Sequence, residues 1–188
     1  MTEVERPDPE HPLILNPKDF LVKPFERIEI GILAALPNID FLRWLPTIKR
    51  ETGLVLQHPK WYVIKASEIG IPRFLLPHSS DTLLHSHPFH EEDKLSQGAL
   101  PSIGDFVNCS PTAKNLIASS LGITQYWYIK DEAKRKNMEA ELLGFFPRFS
   151  DGKNLFAYLK FLETSDARYE IYPWSSINEQ GLKELLYS

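Results

Sequence analysis

The alternation of apolar and polar positions divides the chain into short strands separated by turn residues. GLVLQ (53–57) and WYVIKA (61–66) are rich in β-branched and aromatic residues and are split by HPK, so they predict a β-hairpin. DTLLHSHP (81–88) predicts a further strand that ends at its proline. NLIASS (115–120) and ITQYWYIK (123–130), divided by a Leu-Gly pair, predict a second hairpin.

Helices are predicted before, between and after these strands. Ile39, Leu42 and Leu45 recur at helical spacing between two prolines, so a short helix of about 39–45 is expected, with Asn38 as its N-cap. The other predicted helices are a helix start in PSIGDFV (101–107), a charged helix over 131–143, and a C-terminal helix in SINEQGLKELLYS (176–188) with a Ser176–Glu179 capping box.

Two further segments, LFAYLKFLE (155–163) and RYEIYPW (168–174), are predicted as strands. A helix, then mixed strands, then a helix predicts the α+β fold class. The 188 residues suit one domain with a full hydrophobic core, and no repeat divides them. We therefore expect a flexible acidic leader over residues 1–12 and a single domain over residues 13–188.

Composition and charge narrow the function classes. The net charge of −4 and the pI near 5.9 give no electrostatic reason to expect nucleic acid as a partner. The longest apolar run, IGILAAL (30–36), is too short to cross a membrane, and the first residues do not resemble a signal peptide. The single cysteine, Cys109, permits no internal disulfide. A cytoplasmic protein with no membrane partner is expected.

Two histidines in HSHP are the strongest chemical signal. On a strand, His85 and His87 point to the same face and present two imidazoles side by side, although a catalytic metal usually needs a third protein ligand. A helix that starts after Ser102 places Asp105 on the same side as that serine. The same two residues also fit an ordinary capping box. The candidates for the third ligand are His90, Glu91, Glu92, Asp93 and Asp105.

HSHP followed by PSIGD, with ETGLVL upstream, resembles the JAMM/MPN (JAB) family of zinc metalloproteases. The signature of that family is a glutamate at an early strand, then His-x-His-Pro, then Ser-x-x-Asp. The resemblance covers residues 51–105. It implies a mixed β-sheet flanked by helices, of the cytidine deaminase-like type. It also implies one catalytic zinc ion and cleavage of a peptide or isopeptide bond after an extended C-terminal tail, as in conjugates of ubiquitin or a ubiquitin-like protein.

The resemblance implies a role for each matching residue: zinc ligands His85, His87 and Asp105, general base Glu51, and oxyanion-stabilising Ser102. Glu68 is the alternative base, because ETGLVL is one residue tighter than the commoner form of the motif. These roles agree with the chemistry of zinc hydrolases. The metal acidifies a water, a carboxylate carries its proton to the leaving amine, and a hydroxyl stabilises the developing oxyanion.

The segment 88–101 between the histidines and the serine is about twice as long as in the family. We expect it to form a loop at the rim of the site, with a mobile tip at about 91–99 that selects substrates. His90 and Glu91 are then not zinc ligands. Because extended tails bind by adding a strand to a sheet, an exposed sheet edge is expected beside the site.

Two other interpretations stay open. His85, His87, Glu91 and Gly98 also fit the first cupin motif, but a cupin supplies another histidine from a later strand, and no histidine follows His90. The second alternative is a non-catalytic MPN-type scaffold, which would not need the complete set of five site residues.

Overall fold

One mixed β-sheet organises the part of the chain that the computed structural model describes, residues 29–33, 36–48, 51–65, 80–87, 98–143 and 152–187. Its strands are β1 (Glu29–Ile32), β2 (Thr52–Gln57), β3 (Lys60–Lys65), β4 (Thr82–Ser86), β5 (Lys114–Ala118), β6 (Gly122–Tyr126) and β7 (Tyr169–Pro173). The helices are α1 (Ile39–Trp44), α2 (Ile103–Val107), α3 (Glu132–Leu143), α4 (Gly152–Thr164) and α5 (Glu179–Tyr187), with 3₁₀ turns at Leu45–Thr47 and Trp174–Ser176. This order confirms the α+β fold class.

The seven described strands lie in the order β1-β3-β2-β4-β5-β6-β7. Both predicted hairpins, β2–β3 and β5–β6, are confirmed as antiparallel pairs. Strand β4 pairs with β2 in antiparallel fashion and with β5 in parallel fashion. A parallel pair needs a crossover connection, and the connection from β4 to β5 contains α2. Strand β4 is therefore an inner strand, and the connection that follows it contains a helix that packs on one face of the sheet.

Side chains alternate between two buried clusters on the two faces of the sheet. The first face carries Leu84 and Leu116 and packs against α1 and α5. The second face carries Ile117 and Tyr126 and packs against α2, α3 and α4. His85 follows Leu84 and pairs with Ile117, so its side chain belongs to the second face.

The ends of two helices test the predicted caps. At α1 the prediction is confirmed, because Asn38 Oδ1 accepts a hydrogen bond from the Phe41 N–H at 2.8 Å. At α5 the predicted Ser176–Glu179 capping box is wrong. Asn178 Oδ1 accepts from the Gly181 N–H at 2.8 Å, while the Ser176 hydroxyl donates to the Pro173 carbonyl. The helix begins at Glu179, so Asn178 is the residue within reach of the first-turn N–H groups.

The predicted strand over 155–163 is also wrong, because this segment lies within helix α4. Its aromatic content favours a strand, but Tyr158 and Leu162, four residues apart, are the buried positions. Phe156 and Leu159 lie on the exposed side of the helix. Helical periodicity and packing outweigh the composition of the segment. The other predicted strand in this region, 168–174, is confirmed as β7.

Three predicted features lie outside the described residues: the leader (1–12), the first ten residues of the long segment (88–97) and the alternative base Glu68.

Candidate metal centre

The two histidines meet at the carboxyl end of β4. His85 is on the strand and His87 follows its last residue, and their Nε2 atoms are 3.1 Å apart. Gly53 of β2 lies opposite His85 in the register of the sheet. The expectation that the two rings share one face is confirmed.

Asp105 brings a carboxylate to the histidine pair from the first turn of α2. Its Oδ1 lies 3.0 Å from His85 Nε2, and its Oδ2 lies 3.3 Å from His87 Nε2. All three side chains are partly buried, with about one seventh of each exposed. One ligand atom from each of the three residues lies within 4.8 Å of the others. Of the predicted third ligands, Asp105 lies within the described residues, and it is next to both histidines.

The start of α2 orients this carboxylate. Ser102 Oγ accepts a hydrogen bond from the Asp105 N–H at 3.2 Å, and Asp105 Oδ2 accepts from the Ser102 N–H at 2.6 Å. These reciprocal bonds form a capping box. The capping box thus holds the Asp105 carboxylate that contacts both histidines.

The spacing of the three ligand atoms fits a metal ion. Two nitrogens bound to tetrahedral zinc at about 2.0–2.1 Å lie about 3.3 Å from each other, close to the 3.0–3.3 Å separations in this cluster. At 3.1 Å one imidazole can donate to the other when its Nε2 carries a proton, and a metal ion can take the place of that proton. Two histidines and a carboxylate hold both catalytic zinc and mononuclear iron(II) in proteins, so the cluster defines a metal-binding arrangement without naming the ion.

His85 and Asp105 shift the pKa of each other. Burial lowers the pKa of His85, but the charge and hydrogen bond of Asp105, with a contribution from Glu51, outweigh burial and leave that pKa raised. Burial raises the pKa of Asp105, but His85 and then His87 overcome this effect and hold it well below its usual range. The carboxylate is therefore ionised and able to bind a cation at neutral pH.

Glu51 lies directly before β2. It contributes to the raised pKa of His85, which places its charge near that imidazole. Gly53 pairs with His85, and Glu51, two residues before the glycine, belongs to the same face. The buried Ser86 hydroxyl accepts a hydrogen bond from the Thr52 N–H at 2.9 Å, which ties the start of β2 to the end of β4. The other acidic and histidine candidates, Glu68, His90, Glu91, Glu92 and Asp93, lie outside the described residues.

Two residues at the site were not predicted. His87 Nδ1 lies 3.1 Å from the Gly98 carbonyl oxygen, and no sequence pattern indicates which backbone carbonyl meets a histidine. The Tyr126 ring stands edge-on to His85 at 6.4 Å and also packs against Phe106. The alternation along β6 predicts a buried tyrosine, but not its contact with a histidine. The Gly98 carbonyl thus contacts one imidazole, and the Tyr126 ring contacts the other.

Cys109 lies beneath α2 and does not add a thiolate to the centre. Its side chain is buried, and burial, with a smaller contribution from the charge of Asp105, raises the pKa of its thiol to about 12. A protonated, buried thiol is a poor nucleophile and a poor ligand.

The expected exposed edge beside the site is not found among the described strands. The histidines lie at β4, and two strands separate β4 from each edge strand, β1 and β7. At about 4.8 Å between neighbouring strands, each edge is about 14 Å from β4 across the sheet. The parallel β4–β5 pair places β4 inside the sheet, so a substrate tail cannot extend the sheet next to the histidines by pairing with β1 or β7.

Comparison of the chain with protein family models, with curated proteins and with solved structures found no match. Within the described residues, no helix combines the length and apolarity that crossing a membrane requires.

Proposed function

We propose that the protein is a zinc-dependent peptidase or isopeptidase with a JAMM-like fold. Its proposed substrate is a peptide or isopeptide bond after an extended C-terminal tail, as in conjugates of ubiquitin or a ubiquitin-like protein. The observation that carries this proposal is the convergence of His85, His87 and Asp105. The charge of Glu51 contributes to the raised pKa of His85, and Ser102 caps the helix that carries Asp105.

The order of these residues along the fold supports the JAMM-like interpretation. Glu51 precedes a strand that pairs with the histidine-bearing strand, and the serine and aspartate open the helix that follows it. This is the order of the family signature.

The side chains have distinct roles in the proposed hydrolysis. His85, His87 and Asp105 would hold the zinc ion, which would supply Lewis acidity to the reacting groups. Glu51 takes a proton from the attacking water and passes it to the leaving amine. Ser102 Oγ uses a lone pair to accept from the Asp105 N–H, so its own proton can be donated to the developing oxyanion.

The cupin alternative has less support. Cupins are double-sheet jelly rolls, whereas the described strands belong to one sheet with helices on both faces. In the cupin motif Glu91 would complete the ligand set; Glu91 lies outside the described residues, and Asp105 is the carboxylate that the structure places next to the histidines. A non-catalytic scaffold keeps the fold and would be distinguished by the absence of turnover.

Metal analysis tests the first part of the proposal. The purified protein is expected to hold about one zinc ion per chain. His85→Ala, His87→Ala and Asp105→Ala should each lower the zinc content, measured by elemental analysis after removal of loosely bound metal. Stoichiometric iron or manganese without zinc would contradict the zinc assignment.

Glu51→Gln tests the chemistry. This variant keeps the size of the side chain and should retain zinc and the fold, but it should lose hydrolysis because the proton acceptor is gone. The assay uses ubiquitin and a bacterial ubiquitin-like protein, each with a fluorogenic amide on its C-terminal tail. Glu163→Gln, an exposed acid on α4, is the matched control with full activity expected. If Glu51→Gln is active, another residue transfers the proton, and Glu68 is the next candidate.

A further inference from the structure

The contact between His87 and Gly98 determines which nitrogen of that imidazole is available to a metal. A carbonyl oxygen can only accept a hydrogen bond, so the 3.1 Å contact requires a proton on His87 Nδ1. In the neutral ring, Nε2 then keeps its lone pair. That nitrogen faces His85 and Asp105. The Gly98 carbonyl thus selects the form of His87 that binds metal through Nε2.

Two buried hydroxyls hold the backbone that carries this carbonyl. Directly after Gly98, the carbonyl of the fully buried Ala99 accepts a hydrogen bond from Thr124 Oγ1 at 2.6 Å. Two residues later, the Pro101 carbonyl accepts from the Tyr158 hydroxyl. The two donors come from different elements, β6 and α4, so segment 98–101 is anchored both to the sheet and to a helix.

Without these anchors, a second hydrogen-bond acceptor competes for the proton of the His87 ring. Asp105 Oδ2 lies 3.3 Å from His87 Nε2 and is a charged acceptor. If the Gly98 carbonyl moves away, the proton of the neutral ring is better placed on Nε2, where it donates to Asp105. A protonated Nε2 has no lone pair for a metal. The position of segment 98–101 therefore decides whether His87 Nε2 can bind a metal or donates a hydrogen bond to Asp105.

We propose that Thr124 and Tyr158 are positioning residues for the metal centre: through Ala99 and Pro101 they hold the Gly98 carbonyl on His87 Nδ1 and keep Nε2 free. This inference builds on the proposed metal site, but it concerns the imidazole itself and can be tested without metal.

The first test uses ¹⁵N NMR of the histidine rings in the metal-free protein at one fixed neutral pH. Wild type should show a protonated His87 Nδ1. Thr124→Val and Tyr158→Phe each remove one anchoring hydroxyl and should shift protonation from Nδ1 towards Nε2. Thr124→Ser, which retains a hydroxyl, should restore the wild-type signal.

Thr82→Val is the matched control for a buried threonine. Thr82 lies on β4, and its hydroxyl donates to the Leu186 carbonyl at 2.7 Å on the first face of the sheet, away from the histidines. This variant also leaves a buried carbonyl without its donor, so general destabilisation should match that of Thr124→Val. The His87 signal should nevertheless remain that of wild type.

The second test is zinc affinity, measured by competition with a chromogenic chelator. Loss of a supporting hydrogen bond commonly weakens metal binding by about tenfold to a hundredfold, and we expect about tenfold for Thr124→Val and Tyr158→Phe. Thr82→Val and Thr124→Ser should bind like wild type.

The inference is overturned if His87 Nδ1 is unprotonated in wild type, or if Thr124→Val and Thr82→Val give the same ring signals. A normal Nδ1 signal in a protein that binds zinc but hydrolyses no tail would instead contradict the proposed peptidase and leave the positioning role standing.

Discussion

Ser102 combines two roles that can be separated at the scale of a single residue. Its Oγ accepts from the Asp105 N–H as a helix cap, and its hydroxyl proton is the proposed donor to the oxyanion. The capping role needs only the accepting oxygen, or a residue at this position whose backbone tolerates the loss of that oxygen. The proposed chemistry needs the hydroxyl proton. Substitutions that differ in these two respects therefore distinguish structure from function.

Ser102→Gly is expected to separate the two roles. Glycine at an N-cap costs only about a few tenths of a kcal/mol, whereas Ser102→Ala costs about 1 kcal/mol. Both variants lose the hydroxyl and should lower kcat about 100- to 1,000-fold. Stability is measured by urea unfolding and activity with the fluorogenic tail substrate.

Asn38→Gly is the control for this pair, because Asn38 caps α1 through the same type of bond. It should lose a similar small stability and keep its activity. A fully active Ser102→Gly would show that the serine is a cap alone.

At the scale of elements, α5 covers the first face of the sheet through one apolar side. Leu182, Leu185 and Leu186 are buried there, three and four residues apart, against strands that carry Leu84 and Leu116. The proposed metal ligands belong to the opposite face. The packing of α5 therefore stabilises the sheet without contacting the site.

Leu182→Ala should destabilise the fold by about 2–5 kcal/mol, because it removes a fully buried side chain and leaves a cavity. Leu159→Ala on the exposed side of α4 is the matched control and should change stability by no more than about 0.5 kcal/mol. Chemical unfolding measures both, and zinc content per folded chain should be unchanged in both. Equal stabilities would mean that α5 does not dock as described.

At the scale of the whole molecule, the ligand set joins two elements that are separate in sequence. His85 and His87 come from β4, and Asp105 comes from α2. An ion held by all three residues binds only the folded chain at full strength. Metal binding is therefore coupled to folding.

Removal of the metal should lower the thermal stability of the protein. At a free zinc concentration of about 100 times Kd, binding adds about 2.7 kcal/mol to the free energy of unfolding. Calorimetry with and without a chelator should show a higher Tm for the zinc-loaded protein, and Asp105→Ala should lose most of this difference. A wild-type Tm that does not respond to the chelator would contradict tight metal binding.

Short-range features were predictable because local backbone geometry determines them. The period of two along a strand puts His85 and His87 on one face, and the spacing of three in a helix joins Ser102 to Asp105. The hairpins and the cap at Asn38 follow from neighbouring residues in the same way.

Long-range features were decided by packing between segments that are distant in sequence. The parallel pairing of β4 with β5 places the histidines inside the sheet and brings α2 across to them. Segment 155–163 is a helix because its buried residues meet the second face at helical spacing. The sequence alone thus determined which side chains belong together at each half of the site. Only the tertiary structure decided that the halves meet and that the Gly98 carbonyl supports His87, because contacts across the fold depend on how all its elements pack.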